Sequence, residues 1–98
     1  MGAPRYRQKP DANHTDIIVA LETIGCSVYD AYRVGTIPDL IVGYRGCTML
    51  VEVKTETGKL EKSQIQWHET WNGHSCVVRS PMEAIEAVTL HVKNHPIR

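Results

Sequence analysis

Ninety-eight residues with 42% apolar and 22% charged side chains suit one compact domain with a single core, and this composition argues against disorder. Eleven basic residues balance eleven acidic ones, so the net charge is zero and no overall field draws the molecule to a polyanion. No apolar run approaches the roughly 18 residues of a membrane span, "MGAPRYRQKP" lacks the apolar segment of a secretory signal, and a glycine after Met1 is too little for a lipidation motif.

Residues 1–12 read as a flexible basic arm. Arg5, Arg7 and Lys9 either touch phosphate there or form a solvated tail, and the same holds for Lys93 and Arg98 at the other end. Residues 13–98 read as a single α/β domain. In "NHTDIIVALETIG" the apolar positions Ile17, Ile18, Leu21 and Ile24 fall at helical spacing. Asn13 is a suitable N-cap, Asp16 falls in the first turn, and Gly25 suits the C-terminal stop. "SVYDAYRV" predicts a first strand. "PDLIVGY" and "CTMLVEVK" predict two more, joined at "GYRG", where Gly43 and Gly46 permit a tight reversal.

"TETGK" is polar and turn-prone, and reads equally as a mobile flap carrying Lys59 or as a solvated turn. A second helix is expected over residues 60–71, followed by a short strand, "SCVVR". "SPMEAIEAV" opens a last helix with Ser80 as cap, Pro81 at the first helical position and Glu83 completing a capping box. The order α-β-β-β-α-β-α implies a mixed central sheet flanked by helices.

Alternation along "CTMLVEVK" gives Cys47, Met49, Val51 and Val53 one face, and Leu50, Glu52 and Lys54 the other. In the partner strand Leu40 and Val42 oppose Asp39 and Ile41. Turning both apolar rows inward leaves Asp39 and Glu52 on a common face of adjacent strands. Two carboxylates so placed repel unless a cation lies between them, and oxygen ligands of this kind suit magnesium or manganese. Lys54, on the same face, is positioned to act on a water or on a phosphate. The competing reading is a surface cluster of ion pairs. Gln64 falls inside the helical stripe Leu60, Trp67, Trp71, where its amide needs either a polar site or a backbone partner. Asp16, and further round Glu22, lie at the margin of the first helix's apolar face, each as a candidate third acid or a plain helix-end charge.

Three cysteines, Cys26, Cys47 and Cys76, are odd in number, widely spaced and set among apolar residues, as expected of reduced thiols in a cytoplasmic protein. No CxxC or paired Cys/His spacing points to zinc. His91 and His95 are four apart without a third ligand, and His68 reads as a packing histidine.

The blocks "DANHTDIIVALETIG", "PDLIVGYRGCTMLVEVK", "LEKSQIQWHETWNG" and "VVRSPMEAIEAV", in this order, resemble the PD-(D/E)XK nuclease superfamily. They resemble more closely its VRR-NUC branch of small standalone phage and prophage proteins. The resemblance implies a restriction-endonuclease-like core and a magnesium-dependent phosphodiesterase in which manganese substitutes. Asp39 and Glu52 would be metal ligands, with the backbone carbonyl of Val53 as a third. Lys54 would handle the attacking water or the phosphate, and Gln64 would stand beside the site. Relatives usually carry Glu where Asp16 stands; that block favours Asp16 over Glu22, with a water-bridged contact for the shorter acid. The triplet that names the branch is absent as such, and Val77–Arg79 only echoes it. Standalone members look like homodimers that cut branched DNA such as Holliday junctions, in repair or recombination. Arg5, Arg7, Lys9, Arg33, Arg45 and Lys59 would then grip DNA phosphates without reading bases. The bacterial or phage-infected host cytoplasm is the expected setting. Two alternatives stand: a DNA-binding module that has lost turnover, or a nuclease of the same fold acting on flaps or ends.

Overall fold

A computed structural model of the chain describes residues 12–95. The basic arm with Arg5, Arg7 and Lys9, and Arg98 at the other end, lie outside the described residues. The elements are α1 (Ala12–Thr23), β1 (Ser27–Asp30), β2 (Leu40–Tyr44), β3 (Cys47–Val53), α2 (Lys62–Thr70), β4 (Ser75–Val78) and α3 (Pro81–Asn94). They form one sheet in the order β1-β2-β3-β4, antiparallel until the parallel β3–β4 pair. The α/β class, the element order and the mixed sheet are those expected from the sequence.

Ile17 and Leu21 of α1 and Ala84 and Val88 of α3 pack on Leu40, Val42, Met49, Val51, Val53 and Val78 of the sheet. The alternating rows therefore face inward as the hydrophobic pattern requires, and the opposite face is left to α2. No residue of α2 is buried, although Trp67 and Gln64 are partly covered.

Local rules explain most element ends. At the end of α1 the Gly25 N–H donates to the Glu22 carbonyl and the Cys26 N–H to the Leu21 carbonyl, both at 3.0 Å. This is a Schellman motif around Gly25, whose φ of 103° is cheap only for glycine. The β2–β3 hairpin closes with a two-residue turn, Arg45-Gly46, with φ of 50° and 82°. Two positive φ values mark the type I′ turn that matches strand twist. Gly43 is thus a strand residue opposite Thr48, not part of the reversal.

Several expectations change. Asn13 is not a cap: α1 begins at Ala12, and the Asn13 amide points away to other elements. The first strand ends at Asp30, because the Asp30 carboxylate accepts the Tyr32 N–H at 3.3 Å and turns the chain out of the sheet. The second helix begins at Lys62, after Leu60, and stops at Thr70. In α3 the Ser80 hydroxyl accepts the Glu83 N–H at 3.1 Å as expected, while Glu83 accepts from the Arg79 N–H at 2.7 Å instead of closing the capping box on Ser80.

Candidate active site

Hydrogen-bond directions in the sheet determine how Asp39 and Glu52 meet. The N–H groups of Leu50 and Lys54 donate to the His74 and Val78 carbonyls at 3.2 and 3.0 Å. Even-numbered residues of β3 therefore turn their main chain toward β4, and odd-numbered ones toward β2. Asp39 turns its own main chain the other way, its carbonyl accepting the Ala31 N–H at 2.7 Å. Extending the β2–β3 register by one residue sets Asp39 opposite Glu52. Neither spends main-chain groups on the other, and such pairs bring Cα atoms to about 4.5 Å with their side chains closest.

Both carboxylates are withdrawn from water: Asp39 is 1% exposed and Glu52 3%. Burying acids costs free energy that hydrogen bonds offset only in part. The Val53 N–H donates to Asp39 Oδ2 at 2.9 Å, and Gln64 Nε2 donates to Glu52 Oε2 at 3.2 Å.

Pro38 has a further consequence. The same register sets it opposite Val53, and proline has no N–H to donate. The ladder thus offers the Val53 carbonyl no donor, on the edge where Asp39 lies. Two carboxylates and one main-chain carbonyl on neighbouring strands form an oxygen-only donor set, which fits a hard divalent cation better than a soft one. Among the described residues no group of three His, Cys, Asp or Glu side chains is placed to hold a metal ion.

Lys54 continues the alternation onto the face of Glu52 and is partly exposed. Its main chain is held on both sides. The N–H bonds Val78, and the carbonyl accepts the Asn13 amide at 2.9 Å. Gln64 serves two elements at once, since its Oε1 accepts the Glu61 N–H at 2.8 Å and so caps α2.

The other expected residues scatter. Asp16 and Glu22 are both exposed on α1. Arg33 is exposed on the loop between β1 and β2, whose far end carries Asp39. Arg45 stands at the hairpin tip, six residues along the strand from Asp39 and so about 20 Å from the acids. Lys59 is exposed on the 55–60 segment. That segment is tied down: the Arg79 guanidinium donates to the Thr55 carbonyl at 2.8 Å and to the Gly58 carbonyl, and the Gly58 N–H donates back to Thr55. A pinned turn, not a loose flap, follows Lys54.

Sequence reasoning missed Asn13 and Arg79. The Asn13 amide also reaches the Arg79 carbonyl at 3.2 Å, so these two residues tie α1, the end of β3 and the start of α3 into one frame around Lys54. The available signal was an amide before an apolar helix, and an N-cap explained it too readily. His14 was missed as well: it is buried, with Nε2 3.1 Å from Asp30 Oδ1 and its ring edge against Tyr32.

Burial pushes the Cys76 thiol up to about 11 and raises Cys26 as well, so neither of these two is a ready nucleophile. His74 joins His91 and His95 in a stack with ring centroids 3.9 and 4.2 Å apart. Stacked rings aim their lone pairs side by side, not at a common point.

An α/β core with acids at the open end of a central hairpin defines the restriction-endonuclease-like class. No family model and no curated protein matches the sequence. A solved structure described as a "VRR_NUC domain" superposes with a TM-score of 0.63 at 26% identity, covering 78% of this chain and 89% of that one. The resemblance seen in the sequence is thus borne out in three dimensions: the chain carries the fold of the VRR-NUC branch of the PD-(D/E)XK nuclease superfamily. Among the described residues no helix is long and apolar enough to cross a membrane.

Proposed function

We propose that the protein is a magnesium-dependent DNA endonuclease, with manganese able to substitute. The observation that carries this reading is the pair of buried acids, Asp39 and Glu52, set opposite each other beside the Val53 carbonyl. The similarity to a VRR_NUC domain supports the nuclease class.

A divalent cation bound there would polarise a phosphoryl oxygen and acidify a water. The chain's own residues would do the rest. Asp39, held by the Val53 N–H, and Glu52, held by Gln64, present oxygens on one face without needing to reorganise. The Lys54 ammonium would emerge next to them, where it can donate a hydrogen bond to the attacking water or meet the charge that develops on phosphate. Asp16 would contribute through a bridging water from α1. Arg33 and Lys59, with Arg5, Arg7 and Lys9 of the arm, would hold backbone phosphates, and Arg45 a more distant one.

Branched DNA and a homodimer belong to the same proposal. Two copies related by a two-fold axis would match a four-way junction, for which one small domain offers too little surface. The test is a set of labelled duplex, flap, single-stranded and four-way substrates incubated with magnesium or manganese, together with light scattering for the dimer. Binding of these DNAs without any cleavage would favour a DNA-binding module instead.

A further inference from the structure

Beside Glu52 lies a cleft of about 310 Å³, more room than the acid pair needs. One wall is the loop of residues 35–38, and the other is α2, with Ser63, Gln64, Trp67 and His68. Its volume is at the small end for ligand pockets, fit for one planar ring system and too small for a duplex. Trp67 is held in place on one side by stacking on Trp71, with centroids 4.8 Å apart and planes 15° off parallel. On another side the His68 ring meets it edge-on at 5.2 Å. A flat aromatic wall is therefore set in advance, which lowers the ordering cost of stacking a ligand there.

The polar groups suit the same occupant. His68 Nδ1 lies 2.8 Å from the Ser75 hydroxyl, which fixes the ring, while its Nε2 is buried without a hydrogen-bond partner among the described residues. Such an orphan costs about 1–3 kcal/mol. The Thr36 and Ser63 hydroxyls that line the cleft can each donate or accept, which suits the mixed edge of a nucleobase.

We propose that this cleft receives one unpaired nucleobase, stacked on Trp67, from the nucleotide next to the phosphate held at Asp39 and Glu52. The inference rests on the nuclease reading and sharpens its substrate class: DNA in which the base at the cut is already out of the helix. Extruding a base from intact duplex costs a few kcal/mol, so a fork, gap or junction base enters first.

The experiment places 2-aminopurine at the unpaired position of a forked oligonucleotide and titrates full-length protein in EDTA, where no cleavage competes. Wild type quenches the probe and binds the fork about tenfold tighter than the same fork with an abasic residue there, the size expected of one base–aromatic stack. Trp67→Ala, shown folded by thermal melting, loses both effects, and Trp67→Phe restores the quench. The same pair of forks, each with an ordinary base or an abasic residue, is then cut in magnesium. Equal quenching by wild type and Trp67→Ala, or equal affinity for base-bearing and abasic forks, overturns the pocket even if DNA is cut. Docking of the base with no DNA cut under any divalent metal upholds the pocket and removes the nuclease reading.

Discussion

The side-chain amide of Asn13 lies 2.9 Å from the carbonyl of Lys54 and donates to it across the sheet from α1. A second bond from the same nitrogen to the Arg79 carbonyl makes Asn13 a clamp between the ends of β3 and β4. Partly buried carbonyls left without donors cost up to about 1–3 kcal/mol together. Asn13→Ala is therefore expected to lower stability by about that amount in urea unfolding, and to slow DNA cleavage several-fold as Lys54 loses its anchor. An unchanged unfolding midpoint would show that the clamp carries no weight.

Gln64 joins helix capping to site geometry, and one substitution separates the two roles. Gln64→Glu keeps an oxygen for the Glu61 N–H but removes the donor to Glu52 and sets a second negative charge beside it. The expected result is helix content close to wild type in circular dichroism with cleavage down at least tenfold. Gln64→Ala should lose activity and in addition destabilise the start of α2 by roughly 0.5–2 kcal/mol. Wild-type rates in Gln64→Glu would reduce Gln64 to a cap.

The stacked histidines predict how stability responds to acid. Desolvation first, then the charges of neighbouring histidines, lowers the pKa of His74 and of His91. A group whose pKa is depressed by folding takes up protons more readily when unfolded, so its contribution is intact above the unfolded value of about 6.5 and is lost as pH falls below it. Urea midpoints should drop between about pH 7 and pH 5, and His91→Gln should flatten that drop. A wild-type midpoint constant over this range would contradict the stacking account.

The acids were legible in the sequence because a period of two and an apolar row decide which way a strand faces, and Asp39 and Glu52 follow from that alone. The element order was legible for similar reasons, since Gly25 and Ser80 act within a few residues of their own positions. What escaped was long-range. Asn13 finds its partners 41 and 66 residues away, and Arg79 reaches back 21 and 24, so nothing local distinguishes them from a cap and a surface charge. The shortness of β1 escaped because one side-chain bond, Asp30 to the Tyr32 N–H, outweighs the strand propensity of "AYRV". Pro38 was read as part of a motif; its missing N–H acquires meaning only once the register sets it opposite Val53.

The most direct test of the central claim is the rate at which labelled forked or four-way DNA is cut in magnesium by wild type and by Glu52→Gln. This substitution keeps the shape of the side chain and an oxygen for Gln64 while removing the charge. Magnesium-dependent cleavage by wild type, lost by roughly 100- to 1,000-fold in Glu52→Gln with its melting temperature intact, is the predicted result. Equal rates for the two proteins, or wild-type cleavage undiminished in EDTA, would contradict a divalent-metal site at Asp39 and Glu52.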